Sequence, residues 1–175
     1  YRISISYVSI ENAKENLKAS SIDGGFSAYK KNAEAAWDSS LSKITIESPN
    51  TDRKTQFYTH LYHSLIHPNT VSDVNGDYMG ADFKVYKTKL DDQYSSFSVW
   101  DTYRTQAQLV AMLYPGRSSD MMQSLVDFAE QSGGYGRWIL ANIETGIMQG
   151  DPTPILISNS HAFGATNFDL NKAYN

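Results

Sequence analysis

Phe97-Ser-Val-Trp-Asp-Thr-Tyr-Arg104 opens an apolar-periodic run that continues through Leu109, Met112 and Leu113 and stops at Pro115-Gly116. Apolar residues at helical spacing predict a helix that starts at Trp100 or Asp101. Polar, Gly- and Asx-marked connections flank it, from Asn69 to Tyr94 on one side and from Trp138 to Gly150 on the other. Helices separated by long residue-rich connections after alternate members point to paired antiparallel helices rather than a bundle with tight turns. The same octapeptide carries chemistry. Asp101 precedes Arg104 by three residues and both stand among Trp100 and Tyr103. A carboxylate and a guanidinium supply hydrogen bonds and the rings supply stacking faces, the set that a polyhydroxylated ligand requires. A structural ion pair between Asp101 and Arg104 is the competing reading.

Working outward, the pattern repeats. Ile3, Ile5 and Tyr7 alternate with Ser4 and Ser6, the period of a half-buried strand. Glu11 to Ala19 reads as helix, broken by Asp23-Gly-Gly. Ser27 is the expected N-cap of a helix to about Ile44, with Tyr29, Ala33, Trp37 and Leu41 on its apolar face. After the Ser48-Pro-Asn-Thr turn, Asp52 begins another helix, with Phe57, Leu61 and Leu65 on one stripe and Pro68 as its end. Downstream of Pro115-Gly116, Ser118 or Ser119 is expected to cap a helix that points Met122, Leu125, Val126 and Ala129 inward and ends at Gly133-Gly134. Asp151-Pro152 reads as N-cap and N1 of a helix through Ile155, Ser158, Asn159 and Ala162, and Phe168 to Ala173 starts one more. The fold class is therefore mainly α, a partial toroid of helix pairs with a short strand and linker at the amino end.

Composition narrows the function. The chain has 175 residues, enough for one domain, and a formal charge of −4 with Lys and Arg scattered. That charge gives no electrostatic case for a nucleic-acid partner. The 12 Tyr suit polar clefts, since each ring packs on one face and hydrogen-bonds at its tip. Cysteine is absent, so no disulfide holds the fold. No apolar run reaches the ~18 residues of a membrane span. The amino end lacks both an initiating Met and a signal peptide's basic-then-apolar order, and both ends read as cuts inside a larger protein.

Three further groups are candidate sites. Asp73, Asn75, Asp77 and Asp82 offer oxygens to a hard cation such as Ca2+, but Tyr78 stands where an EF-hand needs its glycine, and Asx-turns explain the cluster as well. His60, His63 and His67 share a helix face, yet no Glu between them provides a metalloprotease base, and His67 before Pro68 suits a helix end. Asn142 and Glu144 lie in the second connection, positioned to bind hydroxyls; Glu144 is alternatively an acid or base, or a cap on a neighbouring helix. No phosphate-binding Gly loop, serine-hydrolase elbow or cysteine nucleophile is present.

Four blocks in order, Ser64-Leu-Ile-His-Pro-Asn, Ser72-Asp-Val-Asn-Gly-Asp-Tyr, Trp100-Asp-Thr-Tyr-Arg and Ser119-Asp-Met-Met-Gln-Ser-Leu, resemble the glycoside hydrolase family 92 α-mannosidases. The resemblance extends to Ile5-Ser-Tyr-Val-Ser and to the Asn142–Gly150 stretch, and so covers essentially the whole chain. It implies an N-terminal β-sandwich joined by a helical linker to an (α/α)6 barrel. On that map residues 1–20 are the last sandwich strand and the start of the linker, and residues 21–175 a linker helix and the first helices of the barrel. The resemblance further implies an exo-acting, inverting, calcium-dependent enzyme that releases terminal α-linked mannose from glycans such as N-glycan branches, in a secreted, periplasmic or cell-surface setting. Asp101 then grips sugar hydroxyls beside Trp100 and Arg104, with Asn142 and Glu144 in the pocket wall. The family's catalytic acid and base are expected beyond Asn175, the Ca2+ ligands largely outside this segment, and the rest of the polypeptide is the chain's partner. Two departures stand out: Ile139 follows Trp138 where Pro is usual, and Gln149 fills a slot often held by Ile. The alternatives are another (α/α)6 glycosidase or phosphorylase, or a non-catalytic carbohydrate-binding helical domain.

Overall fold

A computed structural model describes all of residues 1–175. Residues 1–6 form no strand pairing, the chain bends at Tyr7 and Val8, and Ile3, Ile5 and Tyr7 stay exposed. The expected half-buried strand is therefore not formed within this chain, because an isolated strand has no ladder to join. Helix α1 (Ile10–Ala19) follows, its first turn closed by Ser9, whose Oγ accepts from the Asn12 N–H at 3.0 Å. Glu11 and Lys18 sit at the ends of α1 that the helix dipole favours. Helix α2 (Gly25–Leu41) begins two residues before Ser27, on Gly24 at φ 102°, and packs on α3 (Thr51–Ser64), capped by Asn50 rather than opened by Asp52.

The 69–94 connection forms short strands rather than a loose loop. Strand β1 (Asn69–Thr70) pairs antiparallel with β4 (Tyr94–Ser95), and between them β2 (Asp77–Met79) pairs with β3 (Val85–Lys87). The helix expected from Trp100 to Leu113 is two pieces: α4 (Val99–Thr102) and α5 (Gln106–Leu113). The break has a side-chain cause. Asn159 Nδ2 and Gln108 Nε2 both donate to the Tyr103 carbonyl, at 3.3 and 3.1 Å, and Thr105 leaves helical geometry at φ −141°.

Pro115 opens a helix instead of stopping one. Tyr114, at φ −139° and ψ 63°, makes a corner with no loop, and α6 (Pro115–Ser132) starts at once with Pro at a position that needs no N–H. Ser118 and Ser119, expected as caps, are instead buried inside α6. Small hydroxyls fit there because they bond backward: Ser119 Oγ donates to Pro115 O and Ser124 Oγ to Asp120 O, each at 2.8 Å. Gly133 ends α6 at φ 83°, where a side chain would be strained. The hairpin β5 (Ile139–Leu140) and β6 (Ile143–Glu144) leads to α7 (Thr153–Ala162) and α8 (Leu170–Tyr174). Asp151 makes no capping bond to α7. Pro152 and Pro154 remove two of the donors that a cap would serve, and the Thr153 hydroxyl donates to Gly136 O.

The core lies where α5, α6 and α7 pack on one another over β4: Tyr94, Phe97, Val99, Met122, Leu125, Phe128, Ile139 and Leu156 form one cluster. By contrast α2 buries no residue and α3 only Leu61. No helix is long and apolar enough to cross a membrane.

Candidate active-site shelf

At one end of this core, α4 and the connection from Gly136 to Gly150 meet at the surface. The Trp100 N–H donates to Arg137 O at 3.2 Å, and its indole Nε1 donates to Gln149 O at 3.1 Å. With both donors bound to one loop, the ring is fixed in place while remaining 37% exposed. Val99, fully buried in the cluster, anchors the short helix from below.

Asp101 and Arg104 are both exposed beside Trp100, but they do not pair. The Ser98 hydroxyl donates to Asp101 Oδ2, and Arg104 Nε donates to the Tyr103 hydroxyl at 3.2 Å with its guanidinium 5.4 Å from that ring. The structural ion pair considered from sequence is absent. Asp101 therefore keeps acceptor capacity toward solvent, and Arg104 keeps donors on the side away from Tyr103. An exposed indole, a carboxylate and a guanidinium on one shelf can hold vicinal hydroxyls and cover an apolar sugar face.

Asn142 and Glu144, expected in the pocket wall, both bond to groups of this chain. Asn142 is buried, its Nδ2 donates to Met79 O at 2.7 Å, and its N–H donates to Ser95 Oγ at 2.7 Å. Its φ of 61° lets the hairpin turn tightly, and its two bonds tie β5–β6 to β2 and β4. Glu144 turns its carboxylate onto backbone N–H groups of its own loop. Arg137, Ser98 and Gln149 complete the shelf; sequence alone gave none of them a contact to Trp100 or Asp101, since two of the contacts use backbone carbonyls that any residue carries.

The acidic 73–82 segment does not fit a calcium ion. Asp73 is buried and accepts from Ser6 Oγ at 2.6 Å, Asn12 Nδ2 at 2.8 Å and Asn16 Nδ2 at 2.6 Å. Asp77 accepts from Asn75 and Lys87, and Asp82 from Tyr86 and Lys84. These carboxylates face N–H, O–H and ammonium donors rather than one another. The Asn12 amide, with Lys87 next, holds Asp77 below 3.8, and Lys84 does the same for Asp82. His60, His63 and His67 are exposed and gather no further ligand; no group of three or more His, Cys, Asp or Glu is placed to hold a metal.

The family model described as the glycosyl hydrolase family 92 catalytic domain matches residues 12–175. The chain belongs to that family, and its helices are part of the (α/α)6 catalytic fold. Among solved structures, a family 92 α-mannosidase from Bacteroides thetaiotaomicron superposes with a TM-score of 0.89 at 28% identity, over 97% of this chain and 23% of that one. The same enzyme in complex with mannoimidazole gives the same TM-score and identity over 22% of its length. An inverting family 92 mannosidase of the same organism superposes at 0.88 with 25% identity, over 96% of this chain and 23% of its own. The chain thus spans less than a quarter of the length of these relatives. A search of curated protein sequences gave no match.

Proposed function

We propose that these residues form one wall of the glycone pocket of an exo-acting, inverting α-mannosidase that removes terminal α-linked mannose from glycans outside the cytoplasm. The observation that carries this reading is the superposition, over nearly the whole chain, on a family 92 α-mannosidase also known in complex with mannoimidazole. The shelf supports it chemically: Trp100 presents a ring, Asp101 accepts from hydroxyls and Arg104 donates to them.

In this proposal the general acid and the general base lie beyond Asn175. An inverting pair stands roughly 6.5–9.5 Å apart, leaving room for the attacking water. The chain's own part is to bind and orient the terminal sugar, so that remote binding contributes to the transition state. Calcium stays in the proposal as a group held elsewhere in the enzyme, because the acids here are occupied by donors; no step is assigned to it.

The test is a panel of aryl glycosides offered to the full-length protein. The reading expects release from the α-mannoside and none at comparable rate from α-glucoside, β-mannoside or α-galactoside. Preference for another sugar, or phosphorolysis, would favour a different (α/α)6 enzyme, and binding without turnover a carbohydrate-binding domain.

A further inference from the structure

Glu144 has a hydrogen-bonding pattern that a sugar ligand or a catalytic acid does not need. Its Oε2 accepts from the Arg137 N–H at 2.7 Å and the Trp138 N–H at 3.4 Å, and its Oε1 accepts from the Gly146 N–H at 2.9 Å. That leaves about one of its roughly four acceptor positions free. The approach is close: a Cβ on Gly136 would lie 2.6 Å from Oε2 and 2.6 Å from Ile139 Cγ1, so any larger residue there must push these side chains aside. The carboxylate therefore draws the segment before the β5–β6 hairpin and the turn after it onto one point.

That point leads directly to the shelf. Arg137, held by Glu144 through its N–H, accepts the Trp100 N–H with its own carbonyl. Its guanidinium Nη1 donates to Met148 O at 2.9 Å, and the next carbonyl, Gln149 O, accepts the Trp100 indole N–H. Both donors of Trp100 thus end on a loop whose two sides are joined by Glu144 and Arg137. We propose that Glu144 and Arg137 are positioning residues that fix the plane of the Trp100 indole against the terminal sugar, and that Glu144 neither contacts substrate nor transfers a proton. The inference deepens the mannosidase reading and rests on it for the identity of the sugar.

The experiment uses the full-length protein with Glu144→Ala, Glu144→Gln, Gly136→Ala and Arg137→Ala, read by backbone hydrogen exchange and by kinetics on aryl α-mannosides. Losing charge-assisted bonds to three amides should speed exchange in peptides covering residues 136–146 by roughly tenfold or more in Glu144→Ala. KM should rise roughly tenfold while kcat stays within about threefold, equally for good and poor leaving groups, because ground-state and transition-state binding of the sugar face fall together. Glu144→Gln, which keeps one acceptor oxygen, should fall between wild type and Glu144→Ala. Gly136→Ala keeps the carboxylate but displaces it, and should move exchange and KM in the same direction. Arg137→Ala removes one bond near the surface, folds even where Glu144→Ala does not, and should show a smaller KM rise. Unchanged exchange and KM in these variants would overturn the proposal. So would a loss of rate confined to poor leaving groups with disappearance of the basic limb of the pH profile, which would make Glu144 the acid. The exchange comparison needs no turnover, so failure of the mannosidase reading appears in wild type and failure of the positioning role in the variants.

Discussion

Asp101 faces the Ser98 hydroxyl on one side and open surface on the other, and that asymmetry separates two substitutions. Asp101→Asn in the full-length enzyme keeps the size of the side chain and removes the charge that sugar hydroxyls would donate to in the proposed function. The expected loss is roughly 30- to 1,000-fold in kcat/KM, ~2–4 kcal/mol, with the fold intact. Ser98→Ala leaves the carboxylate in place and removes only the bond that orients it, so about fivefold, ~1 kcal/mol, is expected. Near wild-type turnover for Asp101→Asn, or a larger loss for Ser98→Ala, would remove Asp101 from the pocket. That Trp100, Asp101 and Arg104 share one exposed surface was legible in the sequence because they lie within five residues, in α4 and just past its end. The orientations of Asn142 and Glu144 were not, since their partners are the backbone of Met79, Arg137 and Gly146. Backbone partners leave no residue-type signature.

At the amino end, a buried acceptor joins α1 to the rest of the chain. Asp73 collects Ser6, Asn12 and Asn16 and so fastens α1 and the segment before it to the β2–β3 hairpin. Asp73→Ala leaves those three donors without their acceptor, a local cost of roughly 2–4 kcal/mol. Hydrogen exchange in the full-length protein should then show lost protection over residues 1–20 and 72–78, with the α5–α7 core unchanged. Retained protection would mean that α1 is held by something else.

The hairpin itself predicts a pH dependence. Asp77 and Asp82 have folded-state pKa values below 3.8, through Asn12 and Lys87 for the first and Lys84 for the second. Their stabilisation is therefore present above pH 3.8 and lost as pH falls through the lower folded values. Asp77→Asn and Asp82→Asn should speed exchange of residues 77–87 relative to wild type at pH 6, and the difference should shrink at a pH below 3.8. An equal effect at both pH values would show that charge is not the cause. Sequence patterning identified α1, α2, α3, α6 and α7 through their apolar spacing. It misplaced boundaries where a proline or a side-chain bond to a carbonyl decided them: the start of α6 at Pro115, the break between α4 and α5 at Tyr103 and the start of α7 at Thr153.

Across the whole molecule, surface area is the informative quantity. The chain exposes 11067 Å2, against roughly 8,600 Å2 for a compact protein of its mass. Only 28 of 175 residues are buried, and Phe26, Ile3, Ile5 and Met112 lie open. Such faces call for partners, which the proposed remainder of the polypeptide would supply. Residues 1–175 expressed alone should bind an apolar dye and associate; a dye-negative monomer that melts cooperatively would contradict this.

The central claim concerns the chemistry of the complete enzyme, and one spectrum tests it. Full-length protein is given an aryl α-mannoside, and the anomeric proton of the sugar is followed by NMR from the first turnovers. The account predicts that β-mannose appears first and mutarotates later, as a water attacking opposite the leaving group requires. First appearance of α-mannose, or no release of mannose at all, would contradict it.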